Sequence, residues 1–194
     1  MTTLYLIRHA ANDTIGVSIP GRTPGIGLNA EGRRQAESLA THLAKEPIQL
    51  IISSPLERSV ETAMPLARKL NLDVEISDAL LEVDFGDWSR QTLEQLNTVP
   101  KWGLWNSFRS GQRVPNGEMM IEVQARMVGA VQLLHAEYPN GTIALFGHGD
   151  PIRSVLAYYL GVPLDLFQRI ELSPAAVSIL TLDDTAPKIL CMNR

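Results

Sequence analysis

Apolar and polar positions along this 194-residue chain fall into two alternating rhythms. Short apolar runs at 4–7, 49–53 and 142–147 are each bounded by polar or turn-forming residues, which predicts buried strands. A shorter strand is expected at 73–76, in "DVEI". Between these runs the period lengthens. Asn29 is a good N-cap, and Ala36, Leu39, Ala40 and Leu43 follow at spacings that share one helical face. A second helix is expected over 54–70, with Ser54 at the cap, Pro55 at the first helical position and Glu57 closing a capping box. Pro65 removes a backbone donor and should kink it. A long helix is expected over 118–137, and another opens at Asp150-Pro151 and ends at Gly161. Segments 176–184 and 188–192 read as closing strands, arranged as a hairpin at the sheet edge.

Strand alternating with helix implies an α/β protein with a mostly parallel sheet and helices on both faces. No repeat or linker divides the chain, so residues 1–194 read as one domain. Segment 102–118, "WGLWNSFRSGQRVPNGE", fits neither period. It reads as an inserted lid or wall, or as a loop anchored by its own tryptophans.

Composition narrows the class. The chain is 45% hydrophobic and 20% charged with net charge -4, which argues against a nucleic-acid or anionic-membrane partner. A positive pocket for a small phosphorylated metabolite is compatible with that charge. Cys191 is the single cysteine, so no intrachain disulfide forms, and no secretory or membrane-spanning segment is legible. A cytoplasmic protein is expected. Oligomeric state is not legible.

The chemistry collects at strand ends. The first strand finishes on Arg8-His9 and the fourth on Gly147-His148-Gly149, where open α/β sheets place their ligands. Gly149 lets backbone approach a ligand closely, and the helix that follows turns its free N–H groups to the same edge. Arg58, early in the second helix, can reach back to that edge. Glu82 follows a short apolar run in "LLEVDFGDW". Taken singly, Arg58 and Glu82 read as surface charges. Brought together, the five describe a phosphate site: guanidinium forks for phosphate oxygens, an imidazole nucleophile and a carboxylic acid. His42 and His135 lie within helices and read as surface or core-margin residues. No carboxylate and histidine cluster has metal-site spacing. No metal or other cofactor is therefore expected, and the arginines must supply the charge stabilisation.

At this point the sequence resembles the histidine phosphatase superfamily (branch 1), the group that includes cofactor-dependent phosphoglycerate mutases. The matching stretches are "LIRHA", "GRTPGIGLNAEGRRQA", "IISSPLERSVETA", "LLEVDFGDW", "VPNGEM" and "FGHGD", in family order over nearly the whole chain. The resemblance implies a three-layer α/β/α sandwich with a transient phosphoryl group on His9 and Glu82 as proton donor. It implies that Arg8, Arg58 and His148 hold the phosphate and that Arg22 assists at the rim. Two positions depart. Ala10 stands where the family usually has glycine, and Ile15 where it often has a phosphate-binding asparagine. Asn12 and Thr14 are the nearby substitutes. Mutases of the family typically carry longer insertions and a closing tail, so a phosphatase is expected. Mutase-type phosphoryl transfer and a non-catalytic phosphate-binding regulator are the alternatives. Arg109 and Arg113 are candidates for a second anionic group, or are solvated loop charges.

Overall fold

The computed structural model describes residues 1–183 and 185–194. Strand β1 (Thr2–Arg8) leads through a long loop to helix α1 (Ala30–Leu43), strand β2 (Leu50–Ser53), helix α2 (Glu57–Leu70) and the short strand β3 (Val74–Ile76). Helices α3 (Leu93–Asn97) and α4 (Pro100–Ser107) precede the long α5 (Met120–Glu137). Strand β4 (Thr142–Gly147), helix α6 (Gly149–Leu160) and strands β5 (Val177–Leu182) and β6 (Lys188–Cys191) complete the chain. The expected closing strand over 176–184 ends at Leu182, and its last position, 184, lies outside the described residues.

Among the described residues six strands form one sheet in the order β3-β2-β4-β1-β5-β6. The four from β3 to β1 are parallel, and β5 and β6 add an antiparallel edge hairpin. Side chains alternate across this sheet and sort into two cores. Tyr5, Ile7, Ile51, Ala144 and Phe146 face α1 and α2, where Ala40, Leu43, Ala63 and Leu66 meet them. Leu4, Leu6, Ile52, Ile143 and Leu145 face α5 and α6, against Met127, Val131, Val155 and Leu156. Burial on both faces explains the unbroken apolar runs, and each such side chain contributes about 1.5–3 kcal/mol of burial. No helix among the described residues is long and apolar enough to cross a membrane.

Three local expectations change. Helix α2 starts at Glu57 with Leu56 at its cap, not at Ser54, because the Ser54 hydroxyl is held by His148, 2.8 Å away. Glu57 closes no capping box; its Oε1 accepts from the Gly25 amide in the preceding loop. Helix α6 is capped by His148, because the Asp150 carboxylate is engaged by two guanidinium groups. Finally, residues 100–107 are helical. Pro100 opens the element, and Trp102 and Trp105, three apart, stack at 5.4 Å and join Trp88 and Phe85 in an aromatic cluster. Eight residues anchored by two indoles are too few to display a period.

Candidate active site

Strands β1 and β4 pair in parallel with Arg8 opposite Gly147. The residues that follow therefore leave the sheet side by side, and the rings of His9 and His148 lie 5.3 Å apart. The His9 amide donates to the Gly147 carbonyl at 2.9 Å, tying the two strand ends together. His9 is 5% exposed, and its Nδ1 donates to the Ala10 carbonyl at 2.8 Å. A carbonyl only accepts, so the proton sits on Nδ1 and the lone pair on Nε2. Burial pushes the imidazole down to about 3, reinforced by the charges of Arg58 and Arg8. A neutral ring with a free Nε2 is the form that attacks phosphorus.

His148 is fully buried. Its Nε2 meets the Ser54 hydroxyl at 2.8 Å, and Ser54 Oγ accepts from the Leu56 amide at 3.4 Å. The Ser59 hydroxyl also lies 3.4 Å from Nε2; with the Ser54 hydroxyl donating to Nε2 the ring carries its own proton on Nδ1, which has no partner. Burial and the Arg58 charge push His148 down as well, which favours the neutral ring.

Two arginines carry unused donors: Arg8 lines the cleft, while Arg58 and His148 are fully buried and are not part of its lining, although the Arg58 charge acts on the His9 ring. Arg58, on the first turn of α2, is fully buried and binds the Gly21 carbonyl through Nη2 at 2.8 Å, leaving Nε and Nη1 without partners. Arg8 donates from Nη1 to the Leu172 carbonyl at 2.6 Å and leaves Nε free. Asn12 is 4% exposed. Its Oδ1 accepts from the Thr14 amide and hydroxyl, and its Nδ2 has no partner. Buried donors without partners are rare, and a cluster of them signals a ligand.

Glu82 completes the ring. Its Oε1 accepts from the Val83 amide at 2.9 Å, and its Oε2 lies 3.9 Å from His148 Nδ1. Burial, reinforced by the Asp150 charge, pushes it up to about 6 against the pull of Arg58 and Arg8. Arg8, His9, Asn12, Thr14, Ile15, Glu82 and Gly149 all line one cleft of about 170 Å³. A Cβ on Gly149 would stand 3.5 Å from Arg8 Nε, so the glycine leaves that approach open.

Other candidates lie elsewhere. Arg22 donates from Nε to the Glu82 carbonyl at 2.9 Å and pairs through Nη2 with Glu118 at 2.9 Å, outside the cleft lining. Arg113 pairs with Glu122 on the surface. Arg109 is 4% exposed, stacks 3.9 Å above the Trp105 ring and is bound to Asp150. No described residue of 102–118 lines the cleft. His42 is exposed and binds the Ser38 carbonyl, while half-buried His135 bonds Thr2. Ala10 is fully buried with φ outside the left-handed region, so the usual glycine is not required there. Sequence reasoning missed Ser54, whose place before a proline reads as a helix cap. It also missed Arg153, whose Nη1 bonds Asp150 at 2.9 Å on the cleft wall.

Comparison with known proteins identifies the family and the fold. The sequence profile of the histidine phosphatase superfamily (branch 1) matches residues 4–194. Phosphoserine phosphatase 1 of Hydrogenobacter thermophilus is 30% identical over 198 residues, covering 100% of this chain and 92% of that protein. A probable phosphoglycerate mutase of Proteus mirabilis is 31% identical, covering 92% and 84%. Among solved structures, a mycobacterial glucosyl-3-phosphoglycerate phosphatase is similar with a TM-score of 0.87 and 28% identity over 98% of both chains. A phosphoserine phosphatase variant from Entamoeba histolytica with phosphoserine gives 0.89 and 25% identity over 100% and 97%. With a profile match over residues 4–194 and a relative alignable from end to end, the chain belongs to the histidine phosphatase superfamily, branch 1.

Proposed function

We propose that the chain is a phosphomonoesterase that works through a phosphohistidine on His9. The observation that carries this reading is the pairing of the His9 and His148 rings at 5.3 Å, with partnerless donors of Arg8 and Asn12 on the cleft that His9 lines and those of buried Arg58 near enough for its charge to act on His9. Phosphate oxygens take the free guanidinium N–H groups, Asn12 Nδ2 and the Nδ1–H of His148. His9 Nε2 attacks phosphorus. The P–O bond to the leaving group breaks, and its electron pair stays on the leaving oxygen, which takes the Glu82 proton. The phosphorylated ring gains positive character on its Nδ1 side, which the Ala10 carbonyl offsets. In the second half Glu82, now a carboxylate, removes a proton from water as the water oxygen bonds phosphorus and the P–N bond breaks. Neutral His9 and phosphate result. The guanidinium groups supply the charge stabilisation that a divalent cation supplies elsewhere. Arg22 holds the Glu82 backbone and is a positioning residue.

Hydrolysis is favoured over mutase-type transfer because β6 pairs at the sheet edge beside β5 and does not cross the cleft. An aryl phosphate assayed in EDTA tests the reading. Turnover is expected, and His9→Ala should lower it by about 10³-fold or more while the protein stays folded. A folded wild-type protein without turnover would overturn it.

A further inference from the structure

Glu82 stands in residues 81–85, which belong to no helix or strand. A side chain on such a segment is placed only as well as the contacts that hold its backbone. The Glu82 carbonyl accepts from two guanidinium groups, Arg22 Nε at 2.9 Å and Arg126 Nη2 at 3.2 Å. Both groups end on one carboxylate. Glu118 Oε2 pairs with Arg22 Nη2 at 2.9 Å and accepts from Arg126 Nη2 at 3.2 Å, while its Oε1 accepts from Arg126 Nε at 3.1 Å. The same Oε2 takes the Asp84 amide at 2.9 Å, two residues beyond Glu82. The Glu82 carboxyl is tied to this backbone in turn, since its Oε1 accepts from the Val83 amide at 2.9 Å.

A close fit between two loops delivers Glu118 to this position. Its amide donates to the Asp84 carbonyl at 3.0 Å, and the Asp87 amide donates to the Pro115 carbonyl at 3.0 Å. A Cβ at Gly117 would stand 2.2 Å from the Asp84 carbonyl oxygen, so only glycine permits the approach. Arg126 reaches in from the second turn of α5, and its Nη1 also holds the Ala79 carbonyl at 2.8 Å, upstream of Glu82. Burial pushes the Glu118 carboxyl up, but its bonds to Arg126 and the Asp84 amide, with the Arg126 and Arg22 charges, outweigh that and hold it below its ordinary value. The clamp is therefore ionised where Glu82 still holds its proton.

Among the described residues the cleft lining includes none of Glu118, Arg126 and Arg22. Arg22 differs from the other two in its neighbour: the Gly21 carbonyl accepts from Arg58, so a change at Arg22 disturbs the phosphate grip along with the acid. The bonds of Glu118 and Arg126 run to Ala79, Glu82, Asp84 and Arg22 and to each other.

We propose that Glu118 is a positioning residue for the proton donor: with Arg126 and Arg22 it fixes the Glu82 backbone so that the acid meets the leaving oxygen. This rests on the phosphatase reading above and adds a residue that acts from outside the cleft. Glu118 touches neither the substrate nor the reacting atoms.

Phenyl phosphate and 4-nitrophenyl phosphate share a shape and differ mainly in how much their leaving oxygen needs a proton. The ratio of their kcat/KM values cancels the folded fraction and any loss common to both, so a merely structural role leaves it unmoved. Glu118→Gln replaces one carboxylate oxygen with an N–H that faces other donors, and it should lower the phenyl to 4-nitrophenyl ratio by about fivefold or more. Arg126→Lys keeps the charge but cannot span three acceptors; it should lower the ratio in the same direction, and it reads the clamp should Glu118→Gln fail to fold. In a Glu82→Gln background no acid is left to place, and Glu118→Gln should then change the ratio by no more than about twofold. An unchanged ratio in the folded single variants, or a full loss that persists in the double variant, overturns the proposal. If the folded, unmodified protein hydrolyses neither ester, the phosphatase reading falls, and the placement of Glu82 is then read from hydrogen exchange at the Val83 and Asp84 amides. Glu118→Gln should speed exchange there by about tenfold or more relative to the amides of β1. Equal rates in the variant and the unmodified protein overturn the positioning role.

Discussion

Burial and the charges of Arg58 and Arg8 push the His9 ring in one direction, to about 3, while burial and Asp150 push Glu82 the other way, to about 6. The two shifts divide the labour. His9 stays unprotonated, and so nucleophilic, at every pH above its lowered value, and Glu82 still holds a proton under mildly acidic conditions. The acid limb of the rate profile therefore does not come from His9. On the proposed mechanism the alkaline limb of kcat/KM should follow Glu82 losing its proton as pH rises through about 6. Glu82→Gln should slow alkyl phosphates by about 10²–10⁴-fold and remove that limb, leaving only the ionisation of the substrate in the profile. Aryl phosphates, with a better leaving oxygen, should lose less. A limb that persists unchanged in the variant would assign the proton to another group. Ser54 makes a subtler case. With its hydroxyl donating to His148 Nε2 it would hold the ring's proton on Nδ1, so Ser54→Ala should raise KM for phosphate esters more than it lowers kcat. Steady-state kinetics on the purified variant check this.

At the scale of elements, the site is a consequence of register. Parallel pairing of β1 with β4 sets Arg8 opposite Gly147, so the two imidazoles emerge as neighbours although 139 positions apart in sequence (148 less 9). The loop after His9 is clamped by α1: a Cβ at Gly32 would lie 1.9 Å from the Ala11 carbonyl oxygen. Gly32→Ala must move that backbone, and it should lower both Tm and turnover, with the loss of turnover persisting in the folded fraction. Helix α4 is held by Trp105, which is fully buried against Trp88, Phe85 and the Arg109 guanidinium. Trp105→Ala should cost about 3–5 kcal/mol of stability by denaturant titration. The strands and the main helices were legible in sequence because burial on both faces or one face leaves a clear period. Arg8, His9 and His148 were legible as the ends of strands, whereas Arg58 and Glu82, which singly read as surface charges, were legible only through the fold reading that brings them to the same edge. Helix α4, the Ser54 bond to His148 and the bracing of Asp150 by Arg109 and Arg153 were not. Helix α4 is too short to display a period, the Ser54 bond needs a partner 94 positions away, and the bracing of Asp150 depends on Arg109, 41 positions away, and on the direction of the Arg153 side chain, none of which local capping preference encodes.

Over the whole molecule, net charge -4 coexists with a cleft lined by two arginines, Arg8 and Arg153, and two acids, Glu82 and Asp150, of which Glu82 is pushed up to about 6. Burying two neutral histidines also couples stability to pH. His9 binds its proton near 6.5 when unfolded but only near 3 when folded, so the unfolded state holds more protons between those values. Stability is therefore lost as pH falls below about 6.5, and His148 acts in the same sense. Glu82 opposes this between 4.5 and about 6, where the folded state holds the extra proton. Two histidines against one acid leave a net fall. Tm should drop on acidification from pH 7 to 5, more steeply in Glu82→Gln and less steeply in His9→Gln. Calorimetry across that range checks both slopes.

The most direct measurement of the central claim is acid-free rapid quenching during turnover of a phosphorus-labelled ester, followed by peptide mapping of the trapped protein. The account predicts a phosphoryl group that is labile in acid, stable in base, located on His9, and absent from His9→Ala. Product released at the full rate with no label on the protein, or with the label on any other residue, would contradict it.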